Sequence, residues 1–233
     1  SLLTSWSTAR NMARNPKPPP QRAAARRGRP ETGQSAGNIL DVAERLVQTR
    51  GYNGFSYADI AAELVRDGRA LAIGEVGRPH FPVSEEQLAA SNEVMSYAMS
   101  LGREVGCAVV LHTESATPES MRGLAQMADR AGLPRWRLVK HYCPPLVLEE
   151  ENHGLMPSVL AGRDAVKEAL AKGTRFMMET DFLDDPRRPG AVLDIRTVPK
   201  RTRTMMGQGL MTEEQAHAIH AENPRRTYGD AFA

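Results

Sequence analysis

The chain has 233 residues, a net charge of +2, 41% hydrophobic residues and 25% charged residues. This composition is typical of a globular protein. No apolar run approaches the roughly 18 residues that a membrane-spanning helix needs, so we expect no membrane partner. The two cysteines, Cys107 and Cys143, lie inside apolar runs and the sequence shows no secretory signal, so we predict buried free thiols in a cytoplasmic protein.

Residues 1–38 lack an apolar period and are rich in proline, glycine and arginine, which predicts a disordered basic arm. The run RRGRP brings Arg26, Arg27 and Arg29 together and resembles the core of an AT-hook, which binds the minor groove of A·T-rich DNA. A solvated basic tail is the alternative. From the charge of the arm we expect weak, salt-sensitive nucleic-acid binding without sequence preference, because neutralising phosphates requires only charge.

Two amphipathic helices are predicted over residues 39–64. The stretch ILDVAERLVQTRG has apolar residues at helical spacing and ends at Gly51, and Ser56 with Asp59 forms a capping box before a second helix. These residues resemble the first two helices of a TetR-type helix-turn-helix domain, whose third helix reads DNA. Here VRDGRALAIGEVG follows, which indicates a turn and then a strand, so we predict no third helix between residues 65 and 80.

After this turn, short apolar runs alternate with helical stretches. Two helix starts are explicit: Ser84 forms a capping box with Gln87, and Pro118 follows the capping residue Thr117. The predicted strands are 71–76, 107–112, 137–142, 155–160 and 176–181. Alternation at this spacing predicts βα units and a parallel sheet.

Four potential metal ligands lie at or beside the carboxyl ends of these strands: Glu75, His112, His141 and Asp181. In a barrel of parallel strands, active sites are built on this face. A single histidine at a strand end is more often structural, but four such residues on four strands converge on one mouth. Imidazole and carboxylate groups together suit Zn²⁺ or Mn²⁺, with Mg²⁺ a further candidate, so we predict a divalent metal site there.

The motifs around these residues are GEVG, LHTES, KHY and ETDFLDDPRRPG, together with ENHGLMPSVLAGRDAV and IHAENP. In this order they resemble the TatD-type metal-dependent hydrolases, which are TIM-barrel enzymes, over residues 64–228, and their archaeal-type branch in particular. The resemblance implies that Glu75 bridges two divalent ions and that His112 and His141 complete the shell of one. Asp181 would bind the other ion and orient or deprotonate the attacking water. Glu75 and Asp181 are then the catalytic residues, and the substrate is a phosphodiester, with DNA as one candidate.

Three further residues are predicted to bind the phosphate-containing substrate. His80 lies shortly after Glu75, on the loop that follows the first strand, and Arg187 and Arg188 follow Asp181 on the last such loop. For the two arginines, the alternative is a solvated loop without a binding role.

The chain departs from this family at its start. The family uses a His-x-His pair on the first barrel strand, whereas all six histidines here follow residue 79, and five strands are predicted where a closed barrel has eight. We therefore predict an α/β fold, an incomplete (β/α) TIM-type barrel of about five parallel strands. Its predicted parts are a disordered arm (1–38), a partial TetR-like helical segment (39–64) and a partial TatD-like barrel (65–233). A natural fusion, an assembly error and a synthetic chimera would all produce such a junction near residue 65.

The ligand count leads to the functional prediction. One ion keeps three ligands while the other keeps only Glu75 and Asp181, so we expect at most one tightly held ion and a hydrolase less active than an intact relative. An open sheet exposes an unpaired edge and its inner face, which either the N-terminal helices or a second copy of the chain, in a homo-oligomer, could cover. The alternatives are a TetR-type DNA-binding regulator and a non-functional hybrid chain.

Overall fold

The computed structural model describes residues 32–182, 187 and 193–230, with side chains described from residue 36 onward. Within them, five parallel strands form one sheet, in the order in which they occur along the chain. The strands are β1 (Ala72–Gly77), β2 (Ala108–His112), β3 (Leu138–Cys143), β4 (Met156–Leu160) and β5 (Met177–Glu179). The five parallel strands that the apolar runs predict are confirmed.

Helices precede β1, connect successive strands and follow β5. The α-helices are α1 (Thr32–Arg50), α2 (Tyr57–Arg66), α3 (Glu85–Val105), α4 (Pro118–Ala131), α5 (Glu149–Asn152), α6 (Arg163–Lys172), α7 (Thr197–Gly207), α8 (Glu213–His217) and α9 (Asn223–Tyr228). A 3-10 turn covers Arg135–Arg137 and a π-helical turn covers Ala218–Glu222. Among the described residues, no helix is long and apolar enough to cross a membrane.

Local sequence explains where the helices begin and end. The side chain of Ser84 accepts a hydrogen bond from the backbone N–H of Gln87, and the Gln87 side chain accepts one from the backbone N–H of Ser84. Thr117 caps α4 and Pro118 occupies its first turn, as predicted. α3 ends at Gly106, whose φ of 71° is a conformation that glycine adopts without steric cost.

The main apolar core lies between the first three strands and helices α2, α3 and α4. Its most deeply buried members include Ile73, Met95, Met99, Val109, Leu111, Met121 and Leu138. A second cluster joins β4 to the C-terminal helices through Val159, Val166, Phe176, Met205 and Ile219. Cys107 and Cys143 are buried free thiols, as predicted.

The start of the first helix differs from the prediction. α1 begins at Thr32, so residues 32–38, which we predicted to be disordered, are helical. The physical reason is that a helix nucleated in the apolar stretch after Ile39 extends by further residues at little cost. The predicted nucleic-acid contacts lie outside the described residues: Arg26, Arg27 and Arg29.

α2 packs into the core of the sheet as well as against α1. Ile60 and Leu64 contact the apolar side of α1, whereas Ala61 and Ala62 belong to the main core. The packing therefore continues across the domain boundary predicted after this helix, because small apolar residues of α2 contact the core beside β1. No helix lies between residues 68 and 80, all of which are described, which confirms the predicted absence of a third helix.

Candidate metal centre

Glu75 lies at a β-bulge in β1. Ile73 pairs with Val109 and Val76 pairs with Leu111, so two residues of β1 face a single residue of β2. A bulge interrupts the regular alternation of side chains, and bulges are frequent beside active sites because they re-aim a side chain. An irregularity near the carboxyl end of β1 therefore sets the position of Glu75.

The two glycines on either side of Glu75 allow β1 to approach β2 closely. A Cβ atom on Gly77 would lie 1.6 Å from the backbone oxygen of His112, and one on Gly74 would lie 2.7 Å from Cβ of Val110. Both distances are far shorter than van der Waals contact, so neither position accommodates a side chain without movement of the strands. The GEVG motif thus keeps Glu75 close to His112.

His141 lies at a second bulge, in β3. Between the pairs that β3 makes with Pro157 and Val159 of β4, it has two residues, His141 and Tyr142, where β4 has one. Tyr142 has a φ of 50°, in the left-handed region that residues other than glycine rarely enter. The two bulges of the sheet therefore coincide with two of the candidate ligands.

The ligand atoms of Glu75, His112 and His141 all lie within 4.8 Å of one another. Nδ1 of His112 is 3.4 Å from Oε2 of Glu75, and the two imidazole rings stack with their centroids 5.3 Å apart. Two atoms that bind one Zn²⁺ tetrahedrally at about 2.1 Å are themselves roughly 3.4 Å apart, so the observed spacing fits a shared ion. The structure thus brings together the three residues predicted to form the more complete ligand shell.

Glu179 of β5 orients His141. Its Oε1 lies 3.0 Å from Nδ1 of His141 and accepts a hydrogen bond from the backbone N–H of Tyr142 at 2.6 Å, and its Oε2 accepts one from the hydroxyl of Ser158. With the Nδ1 proton donated to Glu179, Nε2 of His141 keeps its lone pair for an ion. Glu179 was not among the predicted site residues. The available signal was its position two residues before Asp181, which places both on the same face of an extended strand.

Asp181 lies beside the cluster of three. Its Oδ1 is 3.6 Å from Nε2 of His141, and its φ of 47° is again in the left-handed region. Burial raises the pKa of Asp181. The charge of His141 lowers this pKa, and the charge of Glu179 raises it further. Asp181 therefore lies beside His141 but outside the group of three, and its role at the centre stays a prediction.

Burial and charge have different net effects on the two histidines. Burial lowers the pKa of His112 by more than the charge of Glu75 raises it. Burial also lowers the pKa of His141, but the hydrogen bond to Glu179 and the charges of Glu179, Glu75 and Asp181 together outweigh it, and the net shift is upward. An ion that binds here therefore competes with a proton mainly at His141.

Lys140 is a buried lysine directly before His141. The residue is 1% exposed, and its Nζ donates to the backbone oxygens of His141 and, at 3.5 Å, of Thr113. Burial lowers the pKa of Lys140. The ammonium group joins the bulge in β3 to the segment that follows β2. The position of Lys140 directly before His141 did not indicate that the two residues lie at one site, because consecutive residues of a strand point to opposite faces.

The residues predicted to contact substrate are only partly described. His80 is exposed, and the centroid of its ring lies 5.4 Å from that of His112, so the structure places it at the candidate centre. Arg187 is exposed on the loop after β5, and Arg188 lies outside the described residues. The substrate-binding roles of all three stay predictions.

Comparisons with known proteins relate these residues to a family. The family model described as TatD related DNase matches residues 47–229. An uncharacterized protein from Methanocaldococcus jannaschii is 47% identical over 161 residues, which are 68% of this chain and 56% of that protein. The chain therefore spans about half the length of this curated relative. The family match includes all of α2, the second helix of the TetR-like resemblance, and nothing in the comparisons supports a TetR-type domain.

Solved structures share the fold at low sequence identity. A TatD homologue from Escherichia coli K12 superposes with a TM-score of 0.53 and 17% identity, covering 83% of each chain. The organophosphorus hydrolase from Deinococcus radiodurans superposes with a TM-score of 0.52 and 18% identity, covering 84% of this chain and 64% of that one. These likenesses concern the fold, and they agree with a partial barrel.

Proposed function

Because the chain belongs to the TatD-related DNase family, we propose that it is a divalent-metal-dependent hydrolase that acts on phosphodiesters, with DNA as the leading candidate. The observation that carries the proposal is the convergence of Glu75, His112 and His141, from three successive strands, within 4.8 Å. Proteins that use zinc in catalysis typically supply three ligands and leave a fourth position for water.

Each residue has a role in the proposed reaction. A bound divalent ion supplies a water of lowered pKa and a positive charge for a phosphoryl oxygen. Asp181 is proposed to orient the attacking water and to accept its proton, and its position 3.6 Å from Nε2 of His141 supports this role. His80, beside His112, and Arg187 on the loop after β5 are proposed to hold the substrate phosphate.

The donor set determines which metal we propose. Two imidazoles and one carboxylate suit Zn²⁺ or Mn²⁺, whereas Mg²⁺ prefers sites made of oxygen ligands and retained waters. We therefore propose Zn²⁺ or Mn²⁺ as the resident ion, ahead of Mg²⁺.

We further propose one tightly held ion per chain and slow hydrolysis. By the resemblance to the family, a second ion would be held by Glu75 and Asp181 alone, because the chain contains no His-x-His pair. Two carboxylates alone bind such an ion weakly. The stabilisation that a second ion gives to the leaving oxygen would then be missing, so the rate should be lower than that of a relative that holds two ions.

Metal content tests the proposal directly. Zinc would be measured by elemental analysis, after dialysis, in the wild type and in His112→Ala, His141→Ala and Asp181→Ala. His217→Ala is the matched control, because His217 is an exposed histidine of α8 that contacts Glu222 at 3.7 Å. We expect about one ion in the wild type and the control, and almost none in the two ligand variants. Asp181→Ala should keep its ion.

Hydrolysis of a chromogenic phosphodiester completes the test. Asp181→Ala should lose activity while it retains zinc, because the residue acts on water and not primarily as a ligand. Two ions per wild-type chain, or an ion retained by His112→Ala, would contradict the proposed centre.

A further inference from the structure

A small cavity borders the candidate metal centre. It has a volume of about 280 Å³ and is lined by Glu75, Gly77, Arg78 and His112. Two of these residues are candidate ligands, and Arg78 is the one among the four whose side chain is always positively charged. A molecule that enters this cavity therefore meets the candidate centre and an arginine together.

Arg78 is held in place by two neighbouring side chains. Its Nε donates to Oε2 of Glu114 at 2.8 Å, its Nη2 donates to the other oxygen of that carboxylate, and its Nη1 donates to Oδ1 of Asn92 at 3.0 Å. The backbone N–H of Arg78 also donates to the backbone oxygen of His112, at 3.2 Å. A guanidinium fixed in this way loses little conformational freedom when it binds a ligand.

These contacts leave hydrogen-bond donors unused. A guanidinium has five N–H groups, and the contacts of Arg78 with described residues occupy three of them. One N–H on each terminal nitrogen is thus left for another acceptor. The side chain is 18% exposed, so a ligand has access to it. Arginine and a phosphate or carboxylate oxygen form strong, charge-assisted hydrogen bonds.

We propose that Arg78 is a substrate-binding residue that recognises an anionic oxygen of the substrate in this cavity, and that Glu114 and Asn92 are its positioning residues. The identity of that oxygen as a phosphoryl oxygen rests on the proposed function. The ion pair of Arg78 with Glu114 borders the candidate ligands. In this it differs from the ion pair of Arg135 with Asp129, which only links two surface segments.

Inorganic phosphate is the probe for this inference. Its dissociation constant would be measured by isothermal titration calorimetry on the zinc-loaded full chain. Arg78→Met removes the donors and the charge, and the double variant Arg78→Met/Glu114→Gln removes them while leaving the summed charge of the pair at zero. We expect both to weaken phosphate binding by about 10- to 100-fold. Glu114→Gln alone keeps the guanidinium and an amide oxygen that accepts a hydrogen bond from it, and removes only the neutralising charge, so phosphate should bind at least as tightly as in the wild type.

A purely structural ion pair predicts a different pattern. Arg78→Met and Glu114→Gln would then weaken phosphate binding equally, and that result, or an unchanged affinity in the double variant, would overturn the inference. Arg135→Met breaks a comparable ion pair outside the cavity and should leave phosphate binding unchanged. If Arg78→Met does not fold, Arg78→Lys permits the same comparison, with a smaller expected loss because the charge is kept.

Zinc content measured on the same samples separates this inference from the proposed function. A wild-type chain that retains no zinc contradicts the proposed function, and titration of the metal-free chain with phosphate then tests Arg78 by the same variants. A wild-type chain that retains zinc, together with an Arg78→Met variant of unchanged phosphate affinity, contradicts the role of Arg78 alone.

Discussion

At the scale of single residues, Glu179 contacts the candidate ligand His141 without being a candidate ligand itself. It accepts hydrogen bonds from the ring of His141, from the backbone N–H of Tyr142 and from the hydroxyl of Ser158. These contacts fix the ring of His141, a buried residue of which 6% is exposed. Partners of this kind set the tautomer and the basicity of a histidine ligand.

Glu179→Gln should therefore weaken zinc binding by about 10- to 100-fold, because an amide oxygen is a poorer acceptor than a carboxylate and the negative charge is lost. Competition with a chromogenic chelator measures the affinity. Glu119→Gln, at an exposed glutamate paired with Arg122, is the matched control and should bind zinc as the wild type does. Equal affinities in the two variants would show that Glu179 does not orient a metal ligand.

The sequence predicts some site residues and not others, depending on where each residue lies relative to a strand. Glu75, His112 and His141 could be predicted because each follows an apolar run, at a position where parallel strands present their ends together. Arg78 and Lys140 could not, because their roles depend on side chains that meet across loops and on the local shift of a bulge. Periodicity within one strand contains no information about such contacts.

At the scale of elements, β1 depends on its glycines. Gly77→Ala would place a methyl group where the backbone oxygen of His112 lies, so the two strands must separate. We expect a loss of about 1–3 kcal/mol or more in the free energy of unfolding, together with loss of zinc retention. Urea denaturation and elemental analysis measure the two effects.

Gly123→Ala is the control for this substitution. Gly123 is an exposed residue of α4 with nothing within 4 Å of the added methyl group, so the change should stabilise the protein by about 0.5–1 kcal/mol. Effects of the same sign and size in the two variants would show that the close approach of β1 and β2 is not required.

The docking of α2 depends on a buried carboxylate. Asp59, with a side chain 4% exposed, accepts hydrogen bonds from Tyr97 at 2.7 Å and Arg50 at 2.9 Å, and it completes the capping box with Ser56. Burial raises the pKa of Asp59, but the hydrogen bonds from Ser56, Tyr97 and Arg50 outweigh it and the net shift is downward. The ionised form is thus favoured in the folded state, which joins α1, α2 and α3.

A lowered pKa in the folded state sets the sign of the pH dependence. The contribution of Asp59 to stability is fully present above the ordinary carboxyl pKa of about 3.9 and is lost as the pH falls through the lowered value. We expect Asp59→Asn to be less stable than the wild type by about 1.5–3 kcal/mol at pH 7, with the difference shrinking below about pH 4. Urea denaturation across this range measures it, and a difference independent of pH would contradict the role of the ionised group.

At the scale of the whole molecule, the sequence predicts the strands of the sheet more accurately than it predicts where α1 begins or where one domain ends. Five apolar runs at βα spacing were sufficient for the strand count and the parallel order. The start of α1 at Thr32 could not be predicted, because its first turns have no apolar stripe and extend a helix nucleated further along. Helical pattern alone also could not show that α2 packs on β1, since that depends on tertiary contact.

The two outer strands of the sheet, β1 and β5, bear on self-association of the chain. Among the described residues, β1 and β5 each pair with one neighbour, so each leaves an edge to which another strand could be added. Self-association through these edges and weak nucleic-acid binding by the N-terminal arm both stay predictions from the sequence. Neither is needed for the candidate centre, whose three ligands come from β1, β2 and β3 of one chain.

The central claim is that one chain holds one divalent ion between Glu75, His112 and His141. Anomalous diffraction at the zinc edge, from crystals of the full chain grown with zinc, tests it most directly. We predict one strong peak per chain, at about 2.0–2.2 Å from a carboxylate oxygen of Glu75 and from one ring nitrogen of each histidine. A crystal in which the strongest peak lies elsewhere, or in which these three side chains have none between them, would contradict it.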